Sequence, residues 1–133
     1  MPKALSQVKM EFYLEHLVTC KKYPLRSGRK VLGRHSKCDL VLKYEYMSRI
    51  HAEVRVELGK VLIKELRALN GIFINTGHQR IGPDIVEIFP GDVVSFGIKL
   101  PNDVEFSFPQ TFGVFLLRAV DSIALTNGST SDI

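Results

Sequence analysis

The stretch MSRIHAEVRVEL, Met47 to Leu58, decides how the rest of the chain is read. Ile50, Ala52, Val54, Val56 and Leu58 are apolar, and Arg49, His51, Glu53, Arg55 and Glu57 between them are polar. Alternation of period two marks a half-buried strand, because successive strand side chains point to opposite faces; a helix repeats its apolar positions every three to four residues. Ser48 therefore closes a loop, and a strand is expected to begin just after it. A serine and a histidine so close together at the mouth of a strand admit a catalytic pair, the start of a metal site, or a binding edge.

Working outward, further strand signals follow closely. VKMEFYLEH alternates through Val8, Met10, Phe12 and Leu14, and CDLVLKY is a short apolar run. Gly59-Lys60 offers a tight turn into VLIKEL, and Asn70-Gly71 a turn into IFIN. DIVEIF ends at Pro90-Gly91-Asp92, VVSFGI follows, and EFSF and FGVFLLRAV complete the series. No segment carries an apolar stripe of helix length. Many short strands separated by Gly, Pro and Asn turns predict an all-β sandwich or barrel. With 133 residues the chain is expected to hold one domain, residues 1–121, followed by a polar flexible tail or linker over 122–133. That tail suggests a module within a longer chain.

Composition narrows the function classes. The chain is 45% hydrophobic and 24% charged, and no apolar run approaches the roughly 20 residues that span a bilayer. FGVFLLRAV is interrupted by Arg118, and the N-terminus lacks a leader's apolar core. No membrane association is expected. Cys20 and Cys38 give neither a disulfide framework nor a zinc spacing, so the default is a reducing compartment, cytosol or nucleus. The net charge of +4 is unevenly spread: RSGRKVLGRHSK, Arg26 to Lys37, has five basic residues and no acidic one. It reads as a basic loop, either solvated or attractive to nucleic acid, anionic lipid or a phosphorylated partner.

Catalysis finds little support. No nucleophile-elbow motif surrounds Ser48, and no acid is placed by spacing to orient His51. Paired-carboxylate, nucleotide-loop, HxxxH and CxxC patterns are all lacking. His35, Cys38 and His51 could share a metal only by chance of folding. The expectation is a non-enzyme with no cofactor and no metal.

Gly33-Arg34, Ser48 and Asn70-Gly71 fall in predicted loops. Together LGRHSKCDLVL, SRIHAEV, NGIFIN and RI…PGDVVSFG stand in the order and approximate spacing of a forkhead-associated (FHA) domain. The chain resembles that family from Val31 to Gly97, with compatible strands on both sides. The resemblance implies a two-sheet β-sandwich whose loops at one end bind phosphothreonine peptides. A phosphate dianion wants charge-assisted donors, and a guanidinium supplies two in a planar fork, so Arg34 is the leading candidate. Ser48 adds a compact hydroxyl, Arg49 its N–H or side chain, and Lys37 a point charge. Asn70 can pair with the peptide main chain through both ends of its amide. Gly33 and Gly71 shape the loops, His51 resembles the histidine that ties them together, and Gly91-Asp92 reads as turn chemistry. No cofactor is implied.

The match has departures. The family usually carries hydroxyl residues where this chain has Ala68, Leu69 and Ile72. Leu69 removes a hydroxyl that could assist the phosphate, which implies weaker phosphate binding or a more apolar pocket. Tyr46, with Leu69 nearby, is a candidate determinant of selectivity three residues after the phosphothreonine, favouring an apolar side chain there.

The leading expectation is a phosphothreonine-dependent module that recruits a phosphorylated protein in signalling or in DNA-damage or cell-cycle assembly. Its rival is a phosphate-independent interaction or dimerisation domain with a degraded pocket. Nucleic acid is not expected as a partner: Tyr23, Tyr44 and Tyr46 lie near basic residues without a repeating pattern of stacking platforms. A second copy of the chain is a further candidate partner, for instance through a phosphorylated Thr130 with Ile133 three residues later. Nucleus ranks ahead of cytoplasm as the expected location.

Overall fold

The computed structural model describes residues 10–76, 80–101 and 107–121. They form ten strands and no helix: β1 (Met10–His16), β2 (Lys22–Leu25), β3 (Gly28–Gly33), β4 (Leu40–Val41), β5 (Ala52–Glu57), β6 (Lys60–Glu65), β7 (Ile72–Ile74), β8 (Val86–Ile88), β9 (Val93–Phe96) and β10 (Gly113–Asp121). Two five-stranded sheets result, ordered β2-β1-β10-β9-β7 and β4-β3-β5-β6-β8. All pairings are antiparallel except β3 with β4. This is the all-β sandwich expected from the alternation.

The alternating face is the core. Ala52, Val54 and Val56 of β5 are buried, and across the register Val54 meets Ile63 and Val56 meets Val61 on β6. From the other sheet come Leu14, Val94, Phe96, Phe115 and Leu117, all buried. Each such side chain contributes about 1.5–3 kcal/mol on leaving water. Phe96 stands edge-on to Phe115 at 5.6 Å and to His51 at 5.5 Å, so the core runs without a break to the loop end of the sandwich.

Several expectations need correcting. The strand after Ser48 starts only at Ala52; Ile50 is half-buried and His51 fully buried in the loop before it. His51 leaves the polar face because both of its ring nitrogens find partners inside. Leu58, expected on the apolar face, is 96% exposed. It forms the β5–β6 turn with Gly59, both at positive φ, one residue earlier than Gly59-Lys60. The basic stretch is not simply a loop: β3 occupies Gly28–Gly33, and β2 precedes it. CDLVLKY yields only the two-residue β4. Ser107 and Phe108 of EFSF are not in a strand, while Glu105 and Phe106, like Val8 and Thr130, lie outside the described residues. So does the proposed tail, 122–133.

Register sets which loops share an end. Leu32 of β3 pairs with Ala52 of β5, and Ala52 pairs with Glu65 of β6. The loops after β3, before β5 and after β6 therefore leave the same end of one sheet. On the other sheet Ile72 pairs with Phe96, which brings the start of β7 alongside.

Candidate functional site

Backbone hydrogen bonds join these loops first. Arg34 and His35 donate their N–H groups to the carbonyls of Ser48 and Arg49, both at 3.1 Å. Such a close approach requires Gly33, because a Cβ there would collide with the Arg49 carbonyl oxygen. Leu66 and Arg67 donate to His51 and Ile50, and Gly97 donates to Gly71 at 2.8 Å. Gly97 has φ +84 and lies against the Tyr46 carbonyl, leaving no room for a side chain.

His51 clamps the loops from inside. Its Nδ1 accepts the Ser48 N–H at 2.9 Å, and its Nε2 stands 2.7 Å from the Gly71 carbonyl. Accepting at one nitrogen and donating at the other fits the neutral ring with its proton on Nε2. Burial pushes its pKa below the ordinary value, against the Gly71 carbonyl and the Glu65 charge, which favour protonation. Ser48 Oγ in turn accepts the Leu69 N–H at 3.0 Å. Accepting there leaves the hydroxyl proton free to be donated elsewhere.

A second support lies behind the β6–β7 loop. The Glu65 carboxylate accepts N–H groups from Ile72 and Gly82 and a fork from Arg80, whose Nη2 also reaches the Ala68 carbonyl at 2.9 Å. Burial opposes ionisation of Glu65, but Arg80 and the two N–H groups outweigh it and hold the carboxyl below its usual range. Local pattern could not have paired residues 65 and 80, which come together only through the fold.

On this frame lies an open cavity of about 730 Å³, lined by Arg34, Tyr46, Ser48, Arg49, Leu69 and Asn70 among others. Six of the seven residues expected to touch a ligand are thus gathered around one space. Lys37 is not among the lining residues; it is exposed, with its N–H bonded to His35 Nδ1. Arg67, which the sequence did not single out, is. Its signal was only an arginine three residues before Asn70. Tyr46 has φ +69 and its ring packs edge-on to Phe112 at 5.5 Å. A left-handed non-glycine residue costs on the order of 1 kcal/mol, and here the surrounding contacts hold it. Leu69 is 81% exposed at the rim. Ile72, by contrast, is fully buried in the core.

Charge distinguishes this end. The side chains of Arg34, Arg49 and Arg67 make no hydrogen bond or ion pair with any described residue. The same is true of Lys37, Lys43 and the Asn70 amide. Three guanidiniums, a hydroxyl donor and a free amide around one opening can hold an anion and a main chain together. Among the described residues no cluster of His, Cys, Asp or Glu is able to hold a metal ion.

Fold and loops together define an all-β sandwich that gathers these loops at one end. The chain belongs to the FHA domain family, whose profile matches residues 30–97, just over half of its length. FHA domains are interaction modules. The solved FHA domain of the CT664 protein from Chlamydia trachomatis is similar with TM-score 0.62 and 25% identity, over 81% of this chain and 96% of that one. An FHA domain solved in work on phosphothreonine-dependent FHA domain interactions gives TM-score 0.60 and 22% identity, over 81% and 95%. EmbR of Mycobacterium tuberculosis, solved with a low-affinity phosphopeptide, gives TM-score 0.60 and 24% identity, over 81% of this chain and 24% of EmbR. No curated protein sequence matches the chain.

Proposed function

We propose that this chain is a phosphothreonine reader: a binding module, not an enzyme, that recruits a phosphorylated protein. The observation that carries the reading is the convergence of Arg34, Arg49 and Arg67, unpartnered among the described residues, with the Ser48 hydroxyl and the Asn70 amide on one cavity. Arg34 takes two phosphate oxygens in its fork, and the Ser48 hydroxyl donates to a third. Asn70 fixes the peptide main chain through its amide. Each charge-assisted hydrogen bond is worth about 1.5–3 kcal/mol, so micromolar affinity needs only a few. Tyr46 and Leu69 give the cavity an apolar wall, which suits an apolar side chain three residues after the phosphothreonine. An oriented phosphopeptide library that selects aspartate there would overturn this part. Recruitment in signalling, in DNA-damage or in cell-cycle assembly, with the nucleus ahead of the cytoplasm, completes the proposal.

A phosphate-independent interaction domain is the second reading, and exposed Leu69 together with Ala68 favours it. One titration separates the two. A phosphothreonine peptide library, its unphosphorylated twin and a random oligonucleotide are titrated against the wild type and Arg34→Ala. Binding of the phosphopeptide alone, lost in the variant, is expected. Equal binding of both peptides would replace the leading reading by the second.

A further inference from the structure

Beside the first cavity lies another, of about 510 Å³, lined by Arg34, His35, Lys43, Tyr44, Glu45 and Arg49. Arg34 and Arg49 line both, so they form the ridge between the two spaces. The second space holds three permanent cations against one carboxylate, Glu45. None of the three cations has a partner among the described residues.

The segment that carries Lys43 is held on both sides. Leu42 is fully buried and donates its N–H to the Gly33 carbonyl at 2.8 Å. Tyr44 stacks on His16 at 4.9 Å and its hydroxyl meets that of Tyr23 at 2.7 Å. The Glu45 N–H reaches the Thr111 carbonyl at 2.8 Å. Between two anchored neighbours, exposed Lys43 stands on a fixed stretch of backbone. An ammonium fixed at its base, beside two guanidiniums that also line the first cavity, forms a pre-organised seat for a negative group.

We infer that the space between Lys43 and the Arg34–Arg49 ridge is a second anion subsite. It receives a carboxylate or a second phosphate carried on the same peptide, within a few residues of the phosphothreonine. The inference rests on the phosphothreonine reading and names the ligand class more closely: a phosphothreonine in an acidic or doubly phosphorylated context. Glu45 sets the balance, since its charge repels the group that Lys43 attracts.

The test uses one synthetic phosphothreonine peptide and derivatives with a single glutamate, or a single phosphoserine, at each of the three positions on either side. Affinities are measured by calorimetry for the wild type, Lys43→Ala and Glu45→Gln. At one placement the second anion should tighten wild-type binding about fivefold, the upper range of an exposed ion pair. Phosphoserine should exceed glutamate if phosphate is the natural occupant, and the two should be equal if a carboxylate suffices. Lys43→Ala should abolish the gain and leave the parent peptide's affinity unchanged; Glu45→Gln should enlarge the gain. Absence of a gain at every placement, or a gain that survives Lys43→Ala, would overturn the subsite while leaving the phosphothreonine reading intact. Failure of the parent peptide to bind would instead overturn that reading, and the subsite with it.

Discussion

The arginines of this small sandwich meet two different ends. On the outer face of one sheet, Arg29 and Arg55 both donate to Glu53, at 2.6 and 2.9 Å. Arg29 and Arg55 are cross-strand partners in the register, and Glu53 lies two residues from Arg55 on the same face. The Arg55 hydrogen bond holds the Glu53 carboxyl below its usual range, against the cost of its burial and with help from Arg29. At the loop end, Arg34, Arg49 and Arg67 have no such acid among the described residues. Pairing on the strands neutralises charge where only structure is needed. Its lack on the loops, where a rigid frame holds cations close together, leaves charge available to a ligand. The same residue type is tied into the architecture in one place and left open to a ligand in the other, and only its neighbours tell which.

The comparison depends first on the frame, so the largest effect should come from His51. His51→Ala removes two internal hydrogen bonds and empties a buried site, which should cost about 2–4 kcal/mol in chemical denaturation. It should also weaken phosphopeptide binding. The ring's pH dependence gives a milder check. Its folded pKa lies below the ordinary 6.5, so the unfolded chain binds the extra proton first as acid is added. The stability due to neutral His51 is complete above about pH 6.5 and is lost as pH falls through that value toward the lowered one. Denaturation midpoints followed from pH 7.5 to 5 should show a loss that the variant lacks.

Next comes the contrast itself. Arg34→Ala should lower phosphothreonine-peptide affinity by about 1.5–3 kcal/mol, tenfold or more, with an unchanged melting temperature. Arg55→Ala should do the reverse, leaving affinity alone and lowering the melting temperature only slightly, since its side chain is half exposed. Glu65→Gln falls between them. It loosens Arg80 and the loop that carries Asn70, and calorimetry should register about a fivefold loss of affinity. Lys37→Ala should have the smallest effect, below about twofold and vanishing as salt rises, because Lys37 lies outside the cavity lining.

What the sequence made legible follows from how local each signal is. Period-two alternation placed β1 and β5, because half-burial of a strand is written into adjacent residues, while the turn after β5 placed β6. It misplaced Leu58 because a hydrophobic residue in a turn continues the pattern by coincidence. It missed β3 because Arg29 and Lys30 made the stretch look like a charged loop; the acid that pairs with Arg29 lies on another strand. Arg34, Ser48 and Asn70 were legible through their joint order, and the fold brings them to one cavity. Gly97 against Tyr46, Arg80 on Glu65 and Lys43 beside Arg34 were not legible. Each is a contact between loops, and none leaves a local pattern.

The most direct measurement is a backbone amide chemical-shift map of the protein during titration with a phosphothreonine peptide. The amides of Arg34, Ser48, Arg49, Arg67, Leu69 and Asn70 should move together and saturate, while those of Arg29, Glu53 and Arg55 stay still. The unphosphorylated twin should move none of them. Shifts centred on the outer face of β3 and β5, or the same shifts with either peptide, would contradict the account.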